Sequence, residues 1–135
     1  MTEAARWLDF AREDLILAEA ALERAIDNQA CFHAQQGVEK ALKGFLRSRQ
    51  RSVPKTHMLR ELLAACQRRD KRFVALKEVC LRLDRYYIPT RYPDALPGMA
   101  PEGLPTHRDA QEALDLLREA LKWVEARLRT RRRKP

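Results

Sequence analysis

The 135-residue sequence predicts an all-α protein, an up-and-down bundle of four long helices plus one short helix. The sequence has only four glycines and no Asn-Gly or Asp-Gly pair, the dipeptides that β-hairpins favour. Apolar residues instead recur at helical spacing along most of the chain. With 45% hydrophobic and 34% charged residues, the composition is typical of a soluble globular protein, and the length is sufficient for one domain.

The first two predicted helices cover residues 4–27 and 30–50. Apolar side chains in both follow steps of three and four, which places them on one face of a helix. In the first helix these residues are Leu8, Ala11, Leu15, Ala18, Leu22 and Ala25. In the second they are Cys31, Ala34, Val38, Ala41 and Phe45.

Three further helices follow along the chain. A short helix begins after Thr56, a candidate N-cap, and a fourth helix runs from about Lys71 to Tyr87. The fifth begins at Thr106, where Asp109 completes a variant of the capping box. Their apolar stripes contain Leu59, Leu62, Leu63 and Cys66, then Phe73, Leu76, Cys80, Leu83 and Tyr87, then Ala110, Leu114, Leu117, Leu121, Val124 and Leu128.

The connection from Ile88 to Pro105 interrupts the helices. It contains five prolines at four-residue spacing, and a helix cannot persist through them. A connection of this length in a small domain is usually functional or disordered.

The positive charge is concentrated at the C-terminus. The net charge is +8, and residues 127–135 contribute six basic side chains without an acid. We therefore divide the chain into a helical bundle, residues 1–128, and a basic tail, residues 129–135. Such a tail either binds a phosphate backbone or is a solvated terminus, and both interpretations stay open.

The N-terminus, the histidines and the cysteines allow expectations about cellular location, metal binding and thiol chemistry. Charged residues in the first turns exclude a secretory signal, and no long apolar stretch spans a membrane, so we expect a cytoplasmic protein. The three histidines lie 24 and 50 residues apart and the sequence has no Gly-rich phosphate loop, so we expect neither a metal nor a cofactor. Cys31, Cys66 and Cys80 fall on apolar stripes and are interpreted as buried free thiols.

A polar stripe follows one face of the second helix. Steps of three and four connect His33, Gln36, Lys40, Lys43 and Arg47. Two lysines and a histidine on one face could bind phosphate. Gly37 and Gly44 lie on the flank of this stripe and indicate the close approach of another helix or of a ligand.

A second group of polar residues occupies positions 85–94, RYYIPTRYPD. Three tyrosines and two arginines can stack on bases and pair with phosphates. The alternative is structural, with Tyr87 in the core, Arg91 paired with a carboxylate and Asp94 capping a turn.

Three motifs together resemble the HEPN domain family. Residues 32–43, FHAQQGVEKALK, are similar to the hallmark second helix of that family, and PKTHML at 54–59 resembles the loop that follows it. Residues 87–94, YIPTRYPD, resemble the segment before its last helix. The order and spacing agree over nearly the whole chain and leave only the basic tail outside.

The resemblance implies a homodimeric helical bundle that binds a nucleotide or RNA phosphate. It also implies a minimal nucleotidyltransferase as partner, often within a toxin–antitoxin pair. In this interpretation the lysines supply charge, Arg91 makes a directional phosphate contact and Tyr92 stacks on a base. The implied binding residues are Lys40, Lys43, Arg91, Tyr92, Asp94 and His33, with His57 as a further candidate.

Two alternatives remain. Other HEPN proteins are metal-independent ribonucleases with an arginine and a histidine a few residues apart, but here His107 lies sixteen residues beyond Arg91. The sequence therefore favours a protein without catalytic activity, and a ribonuclease would need folding to bring a histidine such as His57 to Arg91. The other alternative is an oligomerisation protein with Gly37 and Gly44 at its interface.

Overall fold

The computed structural model describes residues 2–49, 52–87 and 96–133, with side chains up to 129. Its helices are α1 (Glu3–Glu23), α2 (Asp27–Ser48), α3 (Leu59–Arg69), α4 (Lys77–Asp84) and α5 (His107–Arg133). A 3-10 segment, Lys71–Leu76, leads into α4. The described residues contain no strand, only an isolated bridge between Ala100 and Gly103. The predicted all-α fold is confirmed.

α2 is the central helix, and the other helices pack around it. An added Cβ at Gly44 would lie 2.7 Å from Leu8 Cδ2, and one at Gly37 would lie 3.4 Å from Asp14 Cβ, so α1 runs antiparallel to α2. Gly37 also faces Leu117, where an added Cβ would lie 2.6 Å from Cδ1. The two glycines therefore let α1 and α5 approach α2 closely. Because both are buried inside the chain, the interpretation that they form an oligomer interface is wrong.

α3 runs in the same direction as α2. The Gln35 side chain donates to the His57 carbonyl at 2.9 Å, and Cys66 Sγ lies 3.7 Å from the Leu42 carbonyl. The chain therefore returns along the bundle between α2 and α3. As a result α2 and α3 both end at the same end of the molecule.

The start of α3 differs from the prediction. The helix begins at Leu59 rather than directly after Thr56, and its first two amides donate to the Asp84 carboxylate at 2.6 and 3.1 Å. The cap is therefore supplied by the end of α4. Burial raises the pKa of the Asp84 carboxyl, although these two hydrogen bonds oppose that shift. At α5, in contrast, Thr106 and Asp109 form the predicted reciprocal capping box, at 2.9 and 3.1 Å.

The fourth helical region is shorter than predicted. It starts as the 3-10 segment, and α4 ends at Asp84 rather than Tyr87. Because the helix stops there, its apolar period no longer applies, and Tyr86 is buried while Tyr87 is only half-buried.

The three cysteines are buried, and the last helix extends beyond residue 128. All three cysteines are free and buried, as predicted, and burial raises the pKa of the Cys31 and Cys80 thiols to about 12. α5 continues to Arg133, into the segment interpreted as a tail, and the division at residue 128 stays a prediction. Among the described residues, no helix has the length and apolar character that a membrane span requires.

Candidate functional site

The polar stripe of α2 is the face on which this central helix reaches solvent. Between residues 33 and 47, every side chain is buried except those of the stripe. These partly exposed residues are His33, Gln36, Lys40, Lys43 and Arg47. The one-face prediction is therefore confirmed, and the candidate site lies on this face.

A buried carboxylate of α1 organises one side of the stripe. Asp14 is only 3% exposed. Its Oδ1 lies 2.9 Å from His33 Nδ1, and its Oδ2 accepts from Lys40 Nζ at 2.6 Å. We call these three residues the Asp14 cluster. Both carboxylate oxygens are used, and the buried charge is compensated.

A buried carboxylate of α2 organises the other side. Glu39 is 4% exposed and accepts from Lys43 Nζ at 2.9 Å, while His57 Nδ1 lies 3.2 Å from the same oxygen. Gln36 Nε2 donates to its other oxygen at 3.3 Å. We call Glu39, Lys43 and His57 the Glu39 cluster.

The loop that carries His57 is fixed on α2 from several directions. The Gln35 side chain, fully buried, donates to the His57 carbonyl and accepts from Gln36 at 2.7 Å. The His57 ring stacks on Tyr87, with 5.2 Å between centroids and 22° between planes. These contacts hold the imidazole at the edge of the stripe.

The two clusters share one arrangement. Each carboxylate holds a lysine ammonium and the Nδ1 side of an imidazole. No described residue forms a hydrogen bond with the Nε2 of either ring, and each ammonium has further N–H donors beyond the one that the carboxylate uses. Lys43 also lies 5.9 Å from the centre of the Trp7 ring, which adds a cation–π contact.

The structure describes only part of the predicted site. Lys40, Lys43 and His33 lie together on the stripe, and His57 joins them through Glu39. Arg91, Tyr92 and Asp94 lie outside the described residues. Their place in the site therefore remains a prediction. The binding roles of Lys40, Lys43, His33 and His57 remain predictions as well.

The two carboxylates on which the clusters depend, Asp14 and Glu39, were not among the predicted site residues. Asp14 lies three residues after Ala11 and four before Ala18, so it occupies a position of the apolar stripe. An acid at such a position is the signal that could have identified it, because a buried carboxylate requires partners. Glu39 precedes Lys43 by four residues, the spacing of a helical ion pair.

The described residues show no cluster of metal ligands. No group of three or more histidines, cysteines or acids in the described ranges is placed to hold a metal ion. The arrangement is instead one of fixed cations and imidazoles, which is suited to binding an anion.

This all-α bundle, built around α2 and its polar face, is the fold of a known class of helical domains. The HEPN domain model matches residues 4–127, and the chain belongs to the HEPN domain family. An archaeal HEPN homologue, ST0689, is 31% identical with a TM-score of 0.73, over 94% of this chain and 98% of that one. TT1696 from Thermus thermophilus is 38% identical with a TM-score of 0.74, over 93% and 98% of the two chains. No curated protein matches the chain significantly.

Proposed function

We propose that this protein binds a nucleotide or RNA phosphate on the polar stripe of α2, and that it does so as a non-catalytic partner of a minimal nucleotidyltransferase. The main observation in favour of this binding site is the presence of the Asp14 cluster and the Glu39 cluster on one helix face. Two buried carboxylates fix two ammonium groups and two imidazoles on the solvent-facing side of the central helix. The nucleotidyltransferase partner, and its place in a toxin–antitoxin pair, rest on the family resemblance of residues 32–43, 54–59 and 87–94.

The hydrogen-bond donors of the stripe favour an anionic ligand. In each cluster the carboxylate fixes a lysine ammonium at the surface. Each ammonium keeps N–H donors beyond the one that the carboxylate uses, and these can reach a phosphate oxygen.

The proposal includes a homodimer. Phe10 and Leu17 of α1, which are 47% and 49% exposed, lie four residues before and three after Asp14. These spacings place them on the helix face that borders the Asp14 cluster. An apolar strip beside a polar site is typical of a surface that another protein covers.

The test is a double-mutant cycle on Lys40 and Arg91. We expect Lys40→Ala and Arg91→Ala each to weaken the binding of AMP or a short RNA by about 10- to 150-fold, since a desolvated charged contact contributes about 1.5–3 kcal/mol. If both residues contact one ligand, their effects are non-additive. Arg91→Lys should restore little, because an ammonium does not reproduce the planar guanidinium.

Lys77→Ala is the matched control, because Lys77 is exposed at the start of α4. It removes the same charge away from the stripe and should leave the affinity unchanged. Strict additivity of the Lys40 and Arg91 effects would contradict a shared site. Equally weakened ligand binding in the Lys77 variant would show that the loss comes from the change in net charge and not from the stripe.

A metal-independent ribonuclease is the second candidate, and one observation favours it. Glu39 holds His57 through Nδ1 and so leaves Nε2 for a proton transfer, while Tyr87 stacks on the same ring. A general base needs this kind of orientation. Metal-free RNA cleavage that is lost in both His57→Ala and Arg91→Ala would favour this function over the non-catalytic one.

A further inference from the structure

Asp84 is connected to both members of the stacked ring pair His57 and Tyr87. It is the last residue of α4 and is only 7% exposed. Its carboxylate accepts from the first two amides of α3, those of Leu59 and Arg60, at 2.6 and 3.1 Å. Its main-chain carbonyl accepts from the Tyr87 amide at 3.2 Å. One residue therefore holds both the helix start that follows His57 and the segment that carries the stacking ring.

The residues on each side of His57 are tied to the same first turn of α3. The Thr56 hydroxyl donates to the Glu61 carboxylate and accepts from the Met58 amide at 3.1 Å. The Met58 carbonyl accepts from the Glu61 amide at 3.1 Å. The position of His57 therefore depends on where the first turn of α3 lies.

That first turn has no cap from its own segment. Met58 occupies the N-cap position and makes no side-chain hydrogen bond to the helix. The sequence favours an earlier start directly after Thr56, which would place His57 inside the first turn. In the structure the Asp84 carboxylate satisfies the amides of a helix that begins at Leu59 instead. Asp84 thus selects the later start, which keeps His57 outside the helix.

The contacts of His57 with α2 depend on this later start. Its Nδ1 lies 3.2 Å from the Glu39 carboxylate, and its carbonyl accepts from the Gln35 side chain at 2.9 Å. Met58, the next residue, is extended, with φ −84° and ψ 119°, a conformation that an α-helix does not contain. A helical start at His57 would therefore redirect the chain at this point and disrupt both contacts.

We propose that Asp84 is a positioning residue for the binding site on the α2 stripe. It fixes the start of α3 and so keeps the His57 imidazole beside Glu39 and Tyr87, without touching the ligand itself. This role of Asp84 rests on the proposed function, because it requires His57 to contact the ligand. If the loss of Asp84 leaves His57 in place for about a tenth of the time, the apparent dissociation constant rises by at most about tenfold. The affinity of the stripe thus depends on the docking of α4 against α3.

The first experiment observes the His57 ring directly, without a ligand. The protein has three histidines, and the imidazole signal that disappears from the proton–carbon NMR spectrum in His57→Gln belongs to His57. In Asp84→Ala this signal should move towards its position in Tyr87→Leu, where the stacking ring is absent. The signal of His33 should stay in place, because that ring is held by Asp14 on the other side of the stripe.

Asp70→Ala is the matched control. Asp70 also caps a helical segment, since its carboxylate accepts from the Arg72 amide at 3.0 Å, but it lies at the opposite end of α3. This variant should lower the stability without moving the His57 signal. Circular dichroism shows whether each variant is folded.

Asp84→Asn provides a second and milder variant. Its side chain keeps one acceptor oxygen for the two amides of α3, so the His57 signal should move less than in Asp84→Ala. If Asp84→Ala does not fold, the movement of the His57 signal in Asp84→Asn decides the question.

The second experiment measures AMP binding by isothermal titration calorimetry. Asp84→Ala should raise the dissociation constant, but by no more than His57→Gln does. In the double variant Asp84→Ala/His57→Gln the loss of affinity should equal that of His57→Gln alone, because Asp84 acts only through His57. Asp70→Ala should leave the dissociation constant unchanged.

Several results would overturn the proposed role of Asp84. An unmoved His57 signal in the folded Asp84 variants would show that the cap does not position the ring. Equal movement in Asp70→Ala would assign the shift to a general loss of stability. Additive losses of AMP affinity from Asp84→Ala and His57→Gln would mean that Asp84 acts by another route. If no AMP binds while the His57 signal moves as expected, the proposed function fails and Asp84 still sets the position of His57, so the two failures are distinguishable.

Discussion

Replacing Glu39 with glutamine tests the energetics of the candidate site. The carboxylate is 4% exposed and lies 2.9 Å from Lys43 Nζ, whose side chain is 12% exposed. Breaking a buried ion pair from one side costs about 3–5 kcal/mol, because the other charge is left without compensation. Lys43 lies at the edge of the stripe and can partly reach water, and the His57 ring is 55% exposed. We therefore expect a loss of about 2–3 kcal/mol in the free energy of unfolding for Glu39→Gln.

The double variant isolates the ion pair from the other effects. In Glu39→Gln/Lys43→Met neither charge remains, so the variant should be more stable than the sum of the two single changes predicts. The coupling free energy should be about 1–3 kcal/mol. Urea unfolding followed by circular dichroism measures all four proteins of the cycle.

An exposed ion pair provides the comparison. Glu78 and Arg82 are four residues apart on α4, and their side chains are 70% and 49% exposed. The same cycle on this pair should give a much smaller coupling, since water screens both charges. Additive effects of the Glu39 and Lys43 substitutions would show that the buried pair is not a unit, and would refute the reasoning.

Two further predictions concern packing and the buried thiols. Gly44→Ala should destabilise the protein more than Gly37→Ala. The new Cβ at position 44 would lie 3.0 Å from the Cβ of Trp7, whereas the one at position 37 would meet the flexible methyl groups of Leu117 and a Cβ at 3.4 Å. Overpacking costs about 1–3 kcal/mol, and the higher helix propensity of alanine offsets about 1 kcal/mol of this. Urea unfolding of the two variants gives the order, and the reverse order would contradict the packing argument. The three cysteines should not react with a thiol reagent until the protein unfolds. Since burial raises the pKa of Cys31 and Cys80 from 9.0 to about 12, unfolded thiols release protons first as the pH rises above 9, and stability should fall by up to about 1.4 kcal/mol per pH unit for each thiol. A flat alkaline stability curve, or native thiols that react at once, would refute their burial.

The helices and the polar stripe could be predicted because both depend on local periodicity. An amphipathic helix repeats every three or four residues, so His33, Lys40 and Lys43 share a face in any structure where α2 forms. The start of α5 could be predicted because its capping residues, Thr106 and Asp109, are only three positions apart.

The missed features depend on contacts between distant parts of the chain. Asp14 becomes a site residue only because α1 packs against His33 and Lys40, which lie 19 and 26 positions later. The direction of α3 depends on the contact of the preceding loop with α2, where Gln35 donates to the His57 carbonyl. The 3-10 segment that starts the fourth helical region has no distinct periodic pattern in the sequence. Tertiary packing, rather than local preference, decides such features.

The cap of α3 has a consequence for the order in which the chain acquires structure. Asp84 is 25 positions beyond Leu59, and it satisfies amides that an isolated α3 would leave to water. During synthesis from the N-terminus, α3 emerges before this carboxylate does. Its first turn is therefore completed only after α4 has been made and has folded back. A fragment that stops before residue 84 should contain an α3 that frays at its start, and the two helices gain their stability together.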